Sequence, residues 1–514
     1  MRLFRSTAVV GLFTMASRVL GFIREIFFAA FIGPGSVLDA FLTAFQFPNL
    51  FRRIFAEGAF NSAFVPLYTD KLEDDGLEEA RRFAREVASM LFTAMLILVV
   101  AAQLAMPWLM YLLGPGFVDE PRIFNMAVLF TQITMPYLLL MSLSAMFSGV
   151  LNAHGKFAVA AAAPVILNLT LIAMMILSDW RGEDLAFWLS LGITGSGVLQ
   201  TGWIYMAMRK LGIGLAFQLP RLTPDVKRLV WLGVPGAIAA GVTQINLLVT
   251  SAIATNQESA RSWLYFADRL YQLPLGVVGI AMGVVLLPTM TARLGAGDGQ
   301  GASNAMNRGI EISMALTLPA AAALIAMPEF LVGGLFERQN FEASDTVAVS
   351  RALIPFAIGL PAFVLIKVLA PGFFARKDTI TPMRFATVSV AVNLALGLAL
   401  FYSPMRYVGL AVATAVASWV NTVLLAWVLH RRDILRPDAR LLSRLPRILA
   451  ASAVMGGALW LAQRNAEWIT AQAFGSPLLA VVLVSFGGVG VYGLAAMLTG
   501  ALRISDLTSV LRRA

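Results

Sequence analysis

Arg18, Arg24, Arg52 and Arg269 each stand inside a long apolar stretch of the chain. A charge at the centre of a bilayer costs about 2.5–3.5 kcal/mol on insertion scales, so four of them imply a task. Arginine presents a planar fork of donors that fits a phosphate bidentately, and it does not lose its proton. The chemistry to expect is anion binding inside the membrane, with a pyrophosphate-like head as the guest. Plainer readings stand beside it. Arg53 and Lys367 are placed to snorkel from helix ends. Glu25, Asp39, Glu57 and Asp268 lie in the same stretches and offer internal ion pairs or gates. Arg18 and Arg24 are six residues apart, or about 120° around a regular helix, so both can face a wide cavity. Gly21 between them permits a bend. Arg52 follows Pro48 by four residues, and Arg269 precedes Pro274 by five. Each proline frees backbone groups that cannot face lipid, so these helices are expected to line a polar cavity.

Other chemistries find little support. Cysteine is absent, which removes disulfides, thiolate metal sites and thiol nucleophiles. The two histidines, His154 and His430, fall at helix ends beside basic residues and read as loop residues. The Gly155-Lys156 pair runs into Phe157 and opens no phosphate-binding loop, so ATP hydrolysis is not encoded. Glu73-Asp74-Asp75 lies among Lys71, Arg81 and Arg82 and reads as a solvated surface. A prenyl-phosphate enzyme would need a carboxylate cluster within a helix near the interface. The sequence offers none, so the chain reads as a transporter and not an enzyme, with no cofactor.

The elements that must hold these residues are membrane helices. Of 514 residues, 59% are hydrophobic and 13% charged, about half the charge of an average soluble protein. That excludes an ordinary soluble enzyme and a disordered chain alike. Fourteen apolar stretches of about 18 residues or more read as spanning helices, among them 7–32, 36–67, 122–152, 229–254, 260–292, 446–464 and 477–502. The fold class is an all-α polytopic membrane protein. The net charge of +10 would point to nucleic acid in a soluble protein. Here it sorts by position. Loops on one side, with both termini, hold 26 of the 39 Lys and Arg, and the opposite loops hold 7. This bias puts both termini in the cytoplasm and removes the reason to invoke nucleic acid. The remaining six are the four arginines above, Arg53 and Lys367.

An internal repeat organises the helices. Ala44-Phe45-Gln46-Phe47-Pro48 resembles Leu270-Tyr271-Gln272-Leu273-Pro274 at an offset of 226, and Leu167-Asn168-Leu169 resembles Val392-Asn393-Leu394 at 225. The offset advances each helix by six, an even number, so the two copies share one topology. Transport sites lie between such halves. The expected organisation is two pseudo-symmetric six-helix lobes, 1–215 and 216–432, and a C-terminal helix pair, 433–514.

Three segments carry a family resemblance: Ser17 to Glu25, Asp39 through Pro48 and Arg52-Arg53 to Pro66, and Tyr265 to Gly276 with its Asp268-Arg269 pair. They resemble the bacterial lipid II flippases of the MviN/MurJ type, within the multidrug/oligosaccharidyl-lipid/polysaccharide exporter superfamily. The resemblance implies carriage of an undecaprenyl-pyrophosphate-linked peptidoglycan precursor from the inner to the outer leaflet of the bacterial inner membrane, by alternating access. It implies that Arg18, Arg24, Arg52 and Arg269 hold the pyrophosphate and its sugar–peptide head, and that Asp39 and Glu57 pair with arginines or act as gates. It implies a groove for the prenyl tail in the last two helices, a monomer, and work alongside the peptidoglycan-synthesis machinery. Some members bind sodium through an acid in helix 7 and ligands in helices 11 and 12. Here Asn393 and Thr414 match two of these, but Gly397 stands where a carboxylate is wanted, and helix 7 has no acid between Asp225 and Glu258. Ion coupling or membrane potential is the expected drive, without ATP. A related polysaccharide-lipid or drug exporter of the same superfamily is the alternative reading.

Overall fold

The computed structural model describes residues 2–53, 60–181, 184–214 and 218–501. The protein is all-helical there. In chain order the helices are α1 (Arg2–Phe31), α2 (Ser36–Arg52), α3 (Phe60–Asp74), α4 (Leu77–Leu113), α5 (Pro121–Thr134), α6 (Pro136–Ala153), α7 (Phe157–Arg181), α8 (Leu185–Lys210) and α9 (Pro224–Ala254). They continue as α10 (Ala260–Gly295), α11 (Gly299–Ala326), α12 (Pro328–Phe336), α13 (Ala343–Phe374), α14 (Ile380–Phe401), α15 (Tyr407–Arg431), α16 (Ala439–Arg464), α17 (Ala466–Gln472) and α18 (Pro477–Leu498). A 3-10 turn, Pro115–Phe117, comes after α4.

Helices lie on all the expected apolar stretches. Two of those stretches are divided. The second is α2 and α3, with residues 54–59, Glu57 among them, outside the described residues. The fourth is α5 and α6, which meet at Met135. Pro136 has no N–H to give to the preceding turn, and it opens α6 as a first-turn proline. Among the described residues, nine spans are long and apolar enough to cross a membrane. Helix starts are fixed locally. Asp184, Thr223, Asp298, Asp438 and Ser476 accept hydrogen bonds from first-turn amides of α8, α9, α11, α16 and α18.

The chain forms two compact units, Met1–Ser262 and Trp263–Ala514. The first packs α3, α4, α6 and α8 around Phe64, Tyr68, Phe83, Met146, Phe147 and Met208. The second packs α10, α11, α13 and α15 around Met290, Met306, Val368, Phe373 and Leu429. Lipid is as apolar as these side chains, so close packing and interhelical hydrogen bonds must hold the helices together. The two units do this alike. In the first, Thr194 Oγ1 donates to the Ile133 carbonyl at 2.6 Å. In the second, Trp419 Nε1 donates to the Ile358 carbonyl at 3.0 Å. Donor and acceptor are both displaced by 225 residues, the offset of the Asn168 and Asn393 repeat. Thr201 to Leu140 and Thr422 to Ala362 make a second pair of bonds, at 3.0 and 3.1 Å, displaced by 221 and 222 residues.

Candidate functional site

α1 positions two of the four arginines. Arg24 is half-buried and its guanidinium is held on three sides. Nη1 donates to Asn168 Oδ1 on α7 at 3.0 Å, Nη2 pairs with Glu25, and the group lies 5.4 Å from the Phe28 ring centroid. Asn168 is oriented by its other end, where Nδ2 donates to the Ser17 carbonyl at 2.9 Å. One amide thus ties two turns of α1 to α7. Gly21 lies where the helices meet: a Cβ there would sit 3.6 Å from Asn168 Nδ2. Arg18 is exposed on α1, six residues before Arg24.

Arg52 is in the last turn of α2, where its Nε donates to Asn49 Oδ1 at 2.8 Å. Arg53 caps that helix through its backbone N–H. Arg269 belongs to the second unit. Its guanidinium lies 4.5 Å from the Tyr265 ring centroid, and Nη1 reaches Gln272 Oε1 at 3.5 Å. Gln272 in turn donates to Asp268. Arg269 is therefore backed by an aromatic face and an amide on its own helix. Arg18, Arg24 and Arg52 lie in the first unit and Arg269 in the second.

Asp39 interacts electrostatically with one arginine, Arg261, and takes its hydrogen bond from a backbone amide. It is 1% exposed, and Oδ1 accepts from the Ser262 backbone N–H at 2.8 Å. Ser262 is in the first turn of α10, so Asp39 caps that helix from α2. Arg261 reads from the sequence as an outer-loop cation. It is buried and donates to the Leu42 carbonyl at 2.8 Å and to Gln46. Ser36 Oγ reaches Glu258 at 3.3 Å, and the Gly116 amide reaches Thr255 Oγ1 at 3.1 Å. The turn before α10 is thus fastened to α2 and to the 3-10 turn.

Lys367 packs its stem against α10, where a Cβ at Gly279 would lie 2.7 Å from Lys367 Cδ. Asn393 and Thr414 bond each other, Oγ1 to Oδ1 at 3.3 Å, and both are neutral. A hard cation wants anionic oxygens. Among the described residues no group of three or more His, Cys, Asp or Glu side chains is placed to hold a metal. His154 caps α6 and bonds Tyr68 at 3.1 Å, and burial, with Arg81 nearby, lowers its pKa.

Three arginines that the sequence assigns to loops and helix ends on the basic side have a structural task. Glu311 on α11 is buried and takes Arg308, Arg440 and Arg444 as partners, the last at 2.5 Å. This network fastens α16 to α11. The sequence hid it, because its arginines look like ordinary positive-inside residues.

A family described as lipid II flippase MurJ matches residues 28–476. A probable lipid II flippase MurJ of Rhizobium meliloti is 49% identical over 91% of this chain and 88% of its own length. The lipid II flippase MurJ of Burkholderia cenocepacia is 32% identical over 94% of each. A solved lipid II flippase MurJ in an inward closed conformation shares the fold with a TM-score of 0.80 at 24% identity, covering 96% of this chain and 98% of that one. An inward-facing multidrug resistance MATE family transporter of the MOP superfamily matches at TM-score 0.67 and 15% identity, over 83% and 98%.

Proposed function

The chain belongs to the lipid II flippase MurJ family, and we propose that it works by alternating access with an arginine site for the substrate's pyrophosphate. It is a lipid II flippase and a multi-pass membrane protein. The proposed lobes are residues 1–215 and 216–432, with 433–514 as the prenyl-tail helices. The proposed location is the bacterial inner membrane, with both termini cytoplasmic, a monomer working beside the peptidoglycan-synthesis machinery.

The observation that carries the site is Arg24. Its guanidinium is held by Asn168, Glu25 and Phe28 within the apolar run of α1. A fork held this way loses little rotamer freedom when it meets an anion. Arg269, backed by Tyr265, is held likewise. Arg18 and Arg52 supply further positive charge for the pyrophosphate and the attached head. Asp39 is the gate. Its bond to the α10 amide, with Ser36–Glu258 beside it, closes one face, and these contacts break when that face opens. The substrate crosses with its covalent bonds intact, so no enzymatic step is needed. Moving a pyrophosphate head outward from a negative interior is favoured by about 2.3 kcal/mol per charge per 100 mV, so membrane potential is the proposed drive, without ATP or sodium.

The test is replacement in cells depleted of their own flippase. The unaltered chain restores growth and outer-leaflet lipid II. Arg24→Ala and Arg269→Ala insert normally and fail. Growth with both variants would overturn the arginine site. Loss of flipping on removing sodium alone would overturn the proposed drive.

A further inference from the structure

The segment that joins α16 to α18 carries two exposed aromatic side chains among polar residues. α17 is seven residues long and none of them is buried. Trp468 within it is 66% exposed, and Phe474 just beyond it is 94% exposed. Phe474 is held at φ 55°, a left-handed conformation unusual for a bulky residue. The backbone there accepts strain while presenting an aromatic ring outward. Below it, Arg464 closes α16 with its guanidinium 3.8 Å from the Trp460 ring centroid. Tryptophan and arginine at one level are the residues of a membrane–water boundary.

Helix length fixes the depth. Arg440, Arg444 and Arg447 mark the first turns of α16. From Arg447 to Arg464 the chain advances 17 residues, about 25 Å at about 1.5 Å per residue. The hydrocarbon core is about 30 Å thick. With Arg447 at one boundary, Arg464 stops about 5 Å short of the other. On that placement the chain beyond Arg464 leaves α16 at the depth of the acyl–headgroup boundary.

We propose that α17 and the turn through Phe474 form an interfacial anchor, with Trp468 and Phe474 immersed in the headgroup–acyl boundary of the bilayer. The partner is a phospholipid surface, on the side opposite the arginine-rich start of α16. The anchor fixes how deep the hairpin sits, and it stands independently of which lipid the protein carries. Amphipathic segments of this kind lie about 5–10 Å into the boundary.

The absence of native cysteine permits a direct test. Full-length Phe474→Cys and Trp468→Cys are spin-labelled and reconstituted in phosphatidylethanolamine–phosphatidylglycerol vesicles. Collision with oxygen, which concentrates in lipid, is compared with collision with a water-soluble nickel chelate. At both sites oxygen collisions should exceed nickel collisions several-fold, while an Asp119→Cys label in the loop after the 3-10 turn shows the reverse. Nickel-dominated collisions at both sites would make the segment an aqueous loop and overturn the proposal. Suppression of both collisions would show a protein surface covering it, which overturns the lipid partner equally.

Discussion

Asn168 separates holding an arginine from being one. Asn168→Ala removes the acceptor 3.0 Å from Arg24 Nη1 and leaves the charge in place. A hydrogen bond to a charged group is worth about 1.5–3 kcal/mol, so flipping should fall about tenfold or more, measured as outer-leaflet lipid II per unit time. Arg24→Ala should abolish it. A second residue tests electrostatics outside the membrane. Asp378 accepts from the Thr381 amide and hydroxyl at 3.0 and 2.7 Å and from Arg432 at 2.7 Å, which lowers its pKa from 3.8 to about 2. Its contribution to stability is complete above pH 3.8 and is lost as pH falls toward 2. The gap in unfolding temperature between the unaltered protein and Asp378→Asn should therefore hold steady near neutrality and close between pH 4 and 2. The arginines were legible in the sequence because a charge within an apolar run stands out. Asn168 was visible there only as a repeat marker, since a neutral amide in a helix announces no partner. The hydrogen-bond donor to Asp39 could not be read at all. It is a main-chain N–H 223 residues away, and every residue but proline has one.

Helices were legible by length and polarity, and their breaks were not. Pro136 starts a new helix, while α13 runs unbroken through Pro355, Pro361 and Pro371. The same kind of bond reaches the carbonyl three residues before the proline in both places, Thr194 to Ile133 and Trp419 to Ile358, so the break is not set by the presence of that bond. Such stitching comes from tertiary packing, which a local pattern does not encode. The turn before α10 offers a sharp test at this scale. A Cβ on Gly116 would lie 2.0 Å from the Thr255 carbonyl oxygen, and backbone cannot rotate away. Gly116→Ala should lose about 1–3 kcal/mol in an unfolding measurement, the usual range for overpacking. Gly195, inside α8 with open space around it, is the control. Gly195→Ala should be neutral or stabilising by about 0.5–1 kcal/mol.

A transporter that alternates must break contacts on one face in every cycle. The Ser36–Glu258 pair reports on that step. In this cysteine-free chain, Ser36→Cys with Glu258→Cys, joined by a short reducible crosslinker, should stop flipping, and reduction should restore it. Unimpaired flipping by the crosslinked protein would remove this face from the cycle. The repeat was legible at this scale from two short matches, and the paired bonds at an offset of 225 give it a structural counterpart. The two-unit division was less so, because α9 falls with the first unit, to which Lys71–Asp225 at 2.9 Å and Thr223–Glu86 at 2.8 Å fasten its start. The apolar stretch of α16 has one more consequence. Between Arg447 and Arg464 it advances about 25 Å, about 5 Å less than the hydrocarbon core. An apolar run shorter than its solvent is met by a thinner bilayer or by snorkelling of the flanking arginines, at a fraction of a kcal/mol per Å. Acyl-chain length then becomes a variable to which turnover responds without any ligand.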